Sequence, residues 1–560
     1  MPAIAAASDI ESFQASASQS VFDALPNRPA ELPQTHVNPS YWQATCEGPA
    51  KTAHLSDSSA VEGEATVAII GTGITGISTL YHLVTRLQSG SRIVLFDARG
   101  FCSGATGRNG GHMTPLSALS YRELRNSPGI SRYAVKPPEG RTRQEVYGND
   151  RGDLLDEVVR TMLVCEARTA AELLVLTRTE AALARKDPSK AQLEGYVDPE
   201  LQCAGRWIVA LEDREVKEVE DSITAANHAG LSDWTKGLIR LPNAELEQLG
   251  LSGAKAAWEQ TGSTVHPLKL VSLLYSVAMR TARERRIQVE AHTYCPVDEV
   301  VEQASNGFNN LTQSSSRALL RTRRGSLQAR YVVHATNAWA SHLSPQLAGP
   351  KGIVPTRGQA MAVEPKDPQT WSQGLATPDG FNYMQMRPRT AQVQAGTLQG
   401  PAKNPPIIFG GGRNSAPAYE WGVENDGELS NNVSKRQRQL LSSLLPSAFE
   451  RLPQPTHEWT GIMAYTQSLN PICGPLLRGQ ALADEDSDLK PSADIIPGQY
   501  IAAGYSGHGM TRAYACGEVI AEMIEVDVLA ASLSEPLDDR WKCPGWFPRC
   551  WLTTLSHVYT

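Results

Sequence analysis

"ATVAIIGTGITGISTLYHL", Ala65 to Leu83, decides the reading of this chain. The apolar run 65–70 has the length and composition of a buried strand. Gly71, Gly73 and Gly76 follow, and then Ile77, Leu80 and Leu83 recur at helical spacing over 74–88. A strand, a glycine turn and a helix in this order can cradle a dinucleotide. The first glycine makes the tight turn, the second lets backbone approach a pyrophosphate, and the third lets the helix pack on the strand. The helix opening at Ile74 and Thr75 supplies N–H groups and a positive dipole end. Asp97 ends the next apolar run, "SRIVLFDAR", about 20 residues past Gly76, where a carboxylate binds ribose hydroxyls. Gly71 and Gly76 also have P-loop spacing, but Ile77 stands where that motif needs lysine.

The fingerprint alone does not separate NAD from FAD. The next segment, "ARGFCSGATGRNGGHM" from Ala98, is rich in Gly and Ala. Backbone with so few side chains lets a flat ring lie against it. Arg108 is suited to neutralise phosphate or flavin charge. The competing reading is a plain flexible loop.

Bulk properties exclude several classes. The 560 residues carry a formal net charge of -7, so no basic surface and no nucleic-acid partner are expected. No run approaches the ~18 apolar residues of a membrane helix. The opening "MPAIAAASDIESFQ" lacks a basic region and a sustained apolar core, so no secretory signal is expected. The last residues, "SHVYT", are not a retention or peroxisomal signal. Nine cysteines without a CxxC fit reduced thiols and a cytoplasmic location, and Cys543 and Cys550 are expected unpaired. Twelve histidines come without HExxH, so no metal site is expected, and no GxSxG elbow suggests a serine hydrolase.

Along the chain, residues 1–60 read as a partly disordered arm in which "VNPSYWQA" is able to dock on the body. Residues 117–151 read as an exposed insertion. Helices are expected at 154–186, 214–228 and from Pro267, with a strand at 205–211. Strands then dominate until "QYIAAGYSGHGMTRAYACGEVIAEMI" reads strand, glycine turn, helix. This order suggests an α/β nucleotide domain interleaved with an antiparallel-sheet domain.

"GTGITG…FDARGFCSGATGRNGGH" resembles the D-amino-acid oxidase superfamily of FAD-dependent oxidoreductases, and looks most like its γ-glutamylputrescine oxidase-like branch and fungal relatives. "TVHPLKLV", "CPVDEV", "VVHATNAWA", "PTRGQAMAVE", "IIFGGGRN", "WTGIMAYT" and "AAGYSGHGMTRAYACGEVIA" match in order, over about 60–527. The resemblance implies a Rossmann-type FAD domain built from discontinuous segments, 61–150, 262–345 and 461–527. It implies a mixed antiparallel-sheet substrate domain at 151–261 and 346–460, leaving 528–560 as a tail. It implies FAD held by Gly71, Gly73, Ile74, Thr75, Gly76, Asp97, Ala98, Arg99, Ser103, Gly104, Ala105, Thr106, Arg108, Asn109, Gly110, Gly111 and His112. It adds Val297, Ala335, Thr336, Asn337, Ser506, Gly507, His508, Gly509 and Met510. The expected reaction is hydride transfer from a carbon beside an amine nitrogen to flavin N5, on a small amine or amino acid, with hydrolysis of the imine.

Tyr383, Gln385 and Arg387 alternate in "YMQMRPR" and share a strand face, where an arginine can clamp a carboxylate. An exposed strand face is the bland alternative. Tyr383, Arg387 and His508 are the expected catalytic residues, although a packed loop histidine would also suit His508. Arg357, Gln359, Arg413, Trp459 and Met463 are weaker candidates. Some relatives bond FAD to a cysteine near the motif that reads "TGIMAYTQS" here, where none occurs, so FAD is expected to be noncovalent. The oxygen-activating lysine of those relatives is absent from "IIFGGG", which leaves O2 and another electron acceptor both open. Ser468 stands where many relatives have aspartate. Two rivals remain: an NAD(P)-dependent dehydrogenase, and a flavin-holding protein that works through partners. The sequence does not indicate an oligomeric state.

Overall fold

The computed structural model describes residues 20–46, 60–131, 154–251, 253–303, 317–367, 371–388, 404–449, 452–479, 495–529 and 540–553. The apolar run becomes the strand Glu64–Ile70, with Val67, Ala68 and Ile69 fully buried. It lies inside an eight-stranded sheet, parallel to Arg92–Phe96 on one side and to Gly325–His334 on the other. Gln288–His292 extends the sheet at one edge, and Ile495–Ala503 with Ile472–Leu477 at the other. A side ladder, Val297–Glu302 and Ala318–Thr322, pairs antiparallel on Gly325–His334.

The helix Ile74–Arg86 buries Ile77, Leu80 and Leu83, as its spacing requires. It packs on the helix Gly509–Leu529 at very short range. A Cβ on Gly517 would lie 2.7 Å from Ser78 Oγ, and that hydroxyl donates to Tyr514 O at 2.7 Å. Small residues at this crossing are what let the glycine turn and the C-terminal helix share one wall.

The second sheet also has eight strands, in the order His457–Tyr465, Val354–Val363, Ile407–Gly411, Asn382–Met386, Gly374–Ala376, Arg206–Ala210, Ala256–Gln260 and Ile239–Arg240. It is antiparallel except where Gly374–Ala376 runs parallel to Arg206–Ala210. The fold is thus mixed α/β with one mainly parallel and one mainly antiparallel sheet. His457–Tyr465 is one continuous strand of the second sheet, so the domain division expected at 461 cuts through it. No helix among the described residues is long and apolar enough to cross a membrane.

Two further expectations need correction. The segment read as an exposed insertion is folded at its start: residues 118–131 form short helices that bury Ala118, Tyr121, Leu124 and Ile130, and the remainder to 151 lies outside the described residues. The end of the chain is also more than a tail. Trp541, Phe547, Cys550 and Trp551 are buried, and Thr553 N donates to Cys473 O at 2.9 Å on the edge of the first sheet. No disulfide joins Cys543 and Cys550.

Buried histidines give the fold a pH limit. Burial holds His82 down to about 3 and His334 to about 4, and keeps His266 well below its ordinary value. His266 must be neutral because its Nδ1 accepts from Lys269 N at 3.3 Å, capping the helix Pro267–Arg285. The unfolded chain takes up these protons below about pH 6.5 and the folded chain refuses them until about pH 4. Stability therefore falls as pH drops through this window. At pH 5 the loss is about 2 kcal/mol per histidine, from 1.36 kcal/mol per unit over roughly 1.5 units. Urea midpoints at pH 7 and pH 5 check this, and an unchanged midpoint would refute it.

Candidate active site

Between the sheets lies a cavity of about 820 Å3. All the residues expected to hold the cofactor line it except Gly76, Ser103 and Gly111. Its floor is the glycine turn. Gly71 has φ +113, and a Cβ there would lie 2.5 Å from Ala335 O. A Cβ on Gly76 would lie 1.9 Å from Gly71 O, so this glycine sets the approach of helix to strand without touching the cavity. Gly73 caps the helix without a side-chain hydrogen bond, which leaves first-turn N–H groups for a ligand. Ile74 N donates to Thr106 Oγ1 at 3.2 Å. Asp97 accepts from Thr72 N and Oγ1 at 3.0 and 2.6 Å and from Arg99 N at 3.0 Å, so it braces the turn while it lines the cavity. These features suit a dinucleotide: bare backbone, open N–H groups and a carboxylate beyond them.

Beside the glycine turn lies the turn before Gly509–Leu529, where Tyr505 OH and Thr75 Oγ1 are hydrogen-bonded at 2.9 Å. Ser506 and Asn337 both adopt left-handed backbone with φ 48. Asn337 Oδ1 accepts from Gly504 N at 3.1 Å, and Ser506 N donates to Ala464 O at 2.8 Å. Strained residues of this kind cluster at functional sites. His508 lines the cavity, and desolvation by the surrounding protein lowers its pKa to about 4. Behind it the buried Glu166 accepts from Arg512 Nε, Thr511 Oγ1 and Leu116 N at 2.7, 2.9 and 3.0 Å.

Tyr383 enters from the second sheet between Gly110 and Gly410, where a Cβ would lie 2.2 and 2.4 Å from its ring. Burial raises its phenol to about 12, so it stays protonated. Its ring meets His112 edge-on, 5.6 Å between centroids, and burial holds His112 down to about 3.

Arg387 does not join them. Its guanidinium is buried in an ion pair with Glu200 at 2.5 Å and donates to Gln385 Oε1 at 2.9 Å, outside the cavity lining. It shares the strand face with Tyr383 as the alternation requires, but a prior partner occupies it. Gln385 donates to Gly110 O and is fully buried. Arg357 is paired with Glu420 at 2.5 Å, and Trp459 Nε1 donates to Arg108 O at 2.8 Å. Gln359, Arg413 and Met463 line the cavity. Arg413 Nη2 donates to Tyr465 OH at 2.9 Å, and a Cβ on Gly507 would come within 3.2 Å of that same hydroxyl.

Arg108 also differs from expectation. Each guanidinium nitrogen is already engaged: Nε by Thr460 O at 2.5 Å, Nη1 by Gln43 Oε1 at 2.8 Å and Nη2 by Asn38 O at 2.6 Å. It therefore fastens the arm to the cavity wall instead of facing a phosphate. Ser40 Oγ donates to Gly107 O at 2.6 Å and Trp42 Nε1 to Asn109 O at 2.7 Å. Asp426 pairs with Arg99 at 2.9 Å and with Arg108 at 3.7 Å, all three being buried. Removing one partner of a buried pair costs about 3–5 kcal/mol. Asp426→Asn is expected to lower the unfolding free energy by that amount and to speed loss of cofactor, whereas an unchanged denaturation midpoint would deny the pair this role.

Arg206 is the residue that motif reading missed. It lines the cavity beside Ile208. With the Gln260 amide oriented to satisfy both neighbours, its oxygen accepts from Arg206 Nε and Nη2 at 2.9 and 2.6 Å, and its nitrogen donates to Ser117 Oγ at 2.6 Å. Among the described residues Arg206 has no carboxylate within 4 Å, and burial lowers its pKa to about 10, which still leaves it charged at neutral pH. Alternation in "GRWIVAL" places Arg206 and Ile208 on one face, but only the fold turns that face to the cavity.

The family model described as FAD dependent oxidoreductase (DAO) matches residues 66–523. The gamma-glutamylputrescine oxidoreductase of Escherichia coli is 22% identical over 511 residues, 88% of this chain and 90% of that protein. A probable oxidoreductase, OrdL, of Rhizobium meliloti is 22% identical over 463 residues, 82% of this chain and 83% of its own. Among solved structures, glycine oxidase from Geobacillus kaustophilus superposes with a TM-score of 0.53 at 16% identity, covering 83% of this chain and 95% of that one. L-proline dehydrogenase from P. horikoshii does so with 0.51 at 19% identity, covering 85% and 96%.

Proposed function

Because this chain belongs to the DAO family of FAD dependent oxidoreductases, we propose that it oxidises the C–N bond of an amine or amino acid to an imine. The observation that carries this reading is the single cavity that joins the dinucleotide cradle to a chamber holding Arg206, a half-buried cation with no carboxylate within 4 Å among the described residues. When bound, FAD supplies the two-electron acceptor for the hydride that leaves the carbon beside nitrogen.

The protein's own part is orientation and exclusion of water. Arg206 binds the substrate carboxylate through its remaining N–H groups. Tyr383, protonated, and His508 and His112, neutral, present no charge to an amine near the turn, so the amine binds uncharged and keeps its lone pair. The turn Ser506–Met510 opens a helix, and its dipole favours negative charge above it by about 0.3–1 kcal/mol. The NAD(P) rival accounts for Gly71 to Asp97 alone, and family membership answers it. Whether O2 takes the electrons is tested together with the substrate.

The test is the visible spectrum of the purified protein, followed by anaerobic mixing with matched amines and amino acids. Bleaching by amino acids, reversed by air, supports the reading and makes the enzyme an oxidase. Flavin bands that no amine or amino acid bleaches would overturn it in favour of a flavin-holding protein.

A further inference from the structure

Residues 20–46 precede the segment 66–523 that the family model matches, yet Phe22, Leu32 and Pro33 of this arm line the cavity. The arm's contacts follow the order of the glycine-rich segment that starts at Ala98. Gln34 O accepts from Arg99 Nη1 at 3.3 Å, Asn38 O accepts from Arg108 Nη2 at 2.6 Å, and Trp42 Nε1 donates to Asn109 O at 2.7 Å. The arm therefore lies along the backbone against which the flat ring is expected.

Two anchors hold it. One is the short helix Tyr41–Thr45, where Ser40 and Gln43 form a capping box and Trp42 is fully buried. The other is at Ala30. Its N–H donates to Ser341 Oγ at 2.9 Å, and its carbonyl oxygen lies 3.2 Å from His342 Nδ1. Both partners stand on the helix Ala340–Leu343, just past the cavity-lining turn Ala335–Asn337. Glu424 secures this second anchor, accepting from Arg28 Nη2 and from Glu31 N, each at 2.9 Å. Between the anchors, residues 31–39 form neither helix nor strand. Pro26, Pro29, Pro33 and Pro39 stiffen this stretch, which lowers the entropy lost in holding it extended. Glu31, Gln34, Thr35 and His36 are exposed, whereas Leu32 and Pro33 are half-buried on the cavity side. An apolar pair turned inward between polar neighbours turned outward suits the cover of a bound ligand.

We infer that the arm is the outer wall of the cofactor site: Leu32 and Pro33 cover the bound FAD, and Glu424 latches them over it. FAD enters and leaves when the anchor at Ala30 lets go, while the helix Tyr41–Thr45 stays in place. This rests on FAD occupying the cavity and is independent of the substrate and of Arg206.

The test follows FAD itself in the full-length chain. Release is read from flavin fluorescence after dilution of the holoenzyme, and entry from the fluorescence change on adding FAD to the apoprotein. Leu32→Ala removes cover without touching an anchor. It is expected to raise the FAD dissociation constant about 5-fold through faster release, with entry unchanged. Glu424→Ala opens the latch. It is expected to speed release and entry alike, each about 10-fold, so that the dissociation constant changes much less than either rate. A variant that only loosens the fold would lower the apoprotein's melting temperature without this paired change in rates. If Leu32→Ala binds and releases FAD as the unmodified protein does, the wall is overturned. If Glu424→Ala speeds release but not entry, or changes neither, the latch is overturned. An unmodified protein that takes up no FAD would fail the cofactor assignment first and take the inference with it.

Discussion

Gly76→Ala is expected to yield a protein that purifies without flavin bands, whereas Gly73→Ala is expected to yield one that folds normally and holds flavin weakly. The difference lies in what each new methyl meets. At Gly76 the Cβ would fall 1.9 Å from Gly71 O, a backbone atom fixed by the strand. Gly71 N is itself tied to Phe96 O at 2.7 Å, so the turn has no room to retreat. Strand and helix must separate. Overpacking of this kind costs about 1–3 kcal/mol and occasionally more, and here it acts on the element that shapes the cradle. At Gly73 the backbone has φ -70 and ψ -177, which alanine adopts freely. Its Cβ would meet only the Thr106 hydroxyl, at 3.2 Å, and a side chain can move. The methyl would intrude on the approach of a phosphate to the first-turn N–H groups. The FAD dissociation constant is expected to rise about 10- to 100-fold, equivalent to about 1.4–2.8 kcal/mol. Fluorescence titration with FAD measures the second effect and thermal melting of the apoprotein the first. Equal flavin content in Gly76→Ala and the unmodified protein would refute the steric argument.

The cradle was legible because local rules governed it. Gly71, Gly73, Gly76 and Asp97 lie in one strand–turn–helix–strand unit whose contacts are short in sequence. Ser506 to Met510 were legible for the same reason. Arg387 shows where that logic stops. Alternation correctly put it on the face of Tyr383, but its fate depended on Glu200, almost two hundred residues away, which reaches it first. Arg108 was read as a partner for phosphate or flavin, yet Asp426, Gln43 and Asn38 claim it from a distant loop and from the arm. Arg206 was missed for the converse reason: nothing in "GRWIVAL" says that its long-range partner would be an amide rather than a carboxylate. An arginine is functional or structural according to whether a carboxylate neutralises it, and that neighbour is seldom local.

Arg206→Ala is expected to weaken binding of carboxylate-bearing substrates about 10- to 150-fold while leaving amines without a carboxylate unaffected. Hydrogen bonds to charged groups contribute about 1.5–3 kcal/mol, which sets that range. Two features place the effect on binding. Arg206 keeps N–H groups free after Gln260 has taken Nε and one bond from Nη2, so it can hold a carboxylate without releasing its own support. No carboxylate among the described residues lies within 4 Å of it, and Glu166 attracts it from farther away. The loss should therefore appear in the substrate concentration needed for half-maximal bleaching, and the limiting rate should change less. Arg206→Lys keeps the charge but not the planar fork, and is expected to recover only part of the affinity. Stopped-flow reduction of the flavin under anaerobic conditions separates the two parameters. A loss of equal size for amines with and without a carboxylate would mean that Arg206 supports the fold of the chamber, and the carboxylate would then have to be sought at Arg413, the other cavity arginine without a carboxylate within 4 Å among the described residues.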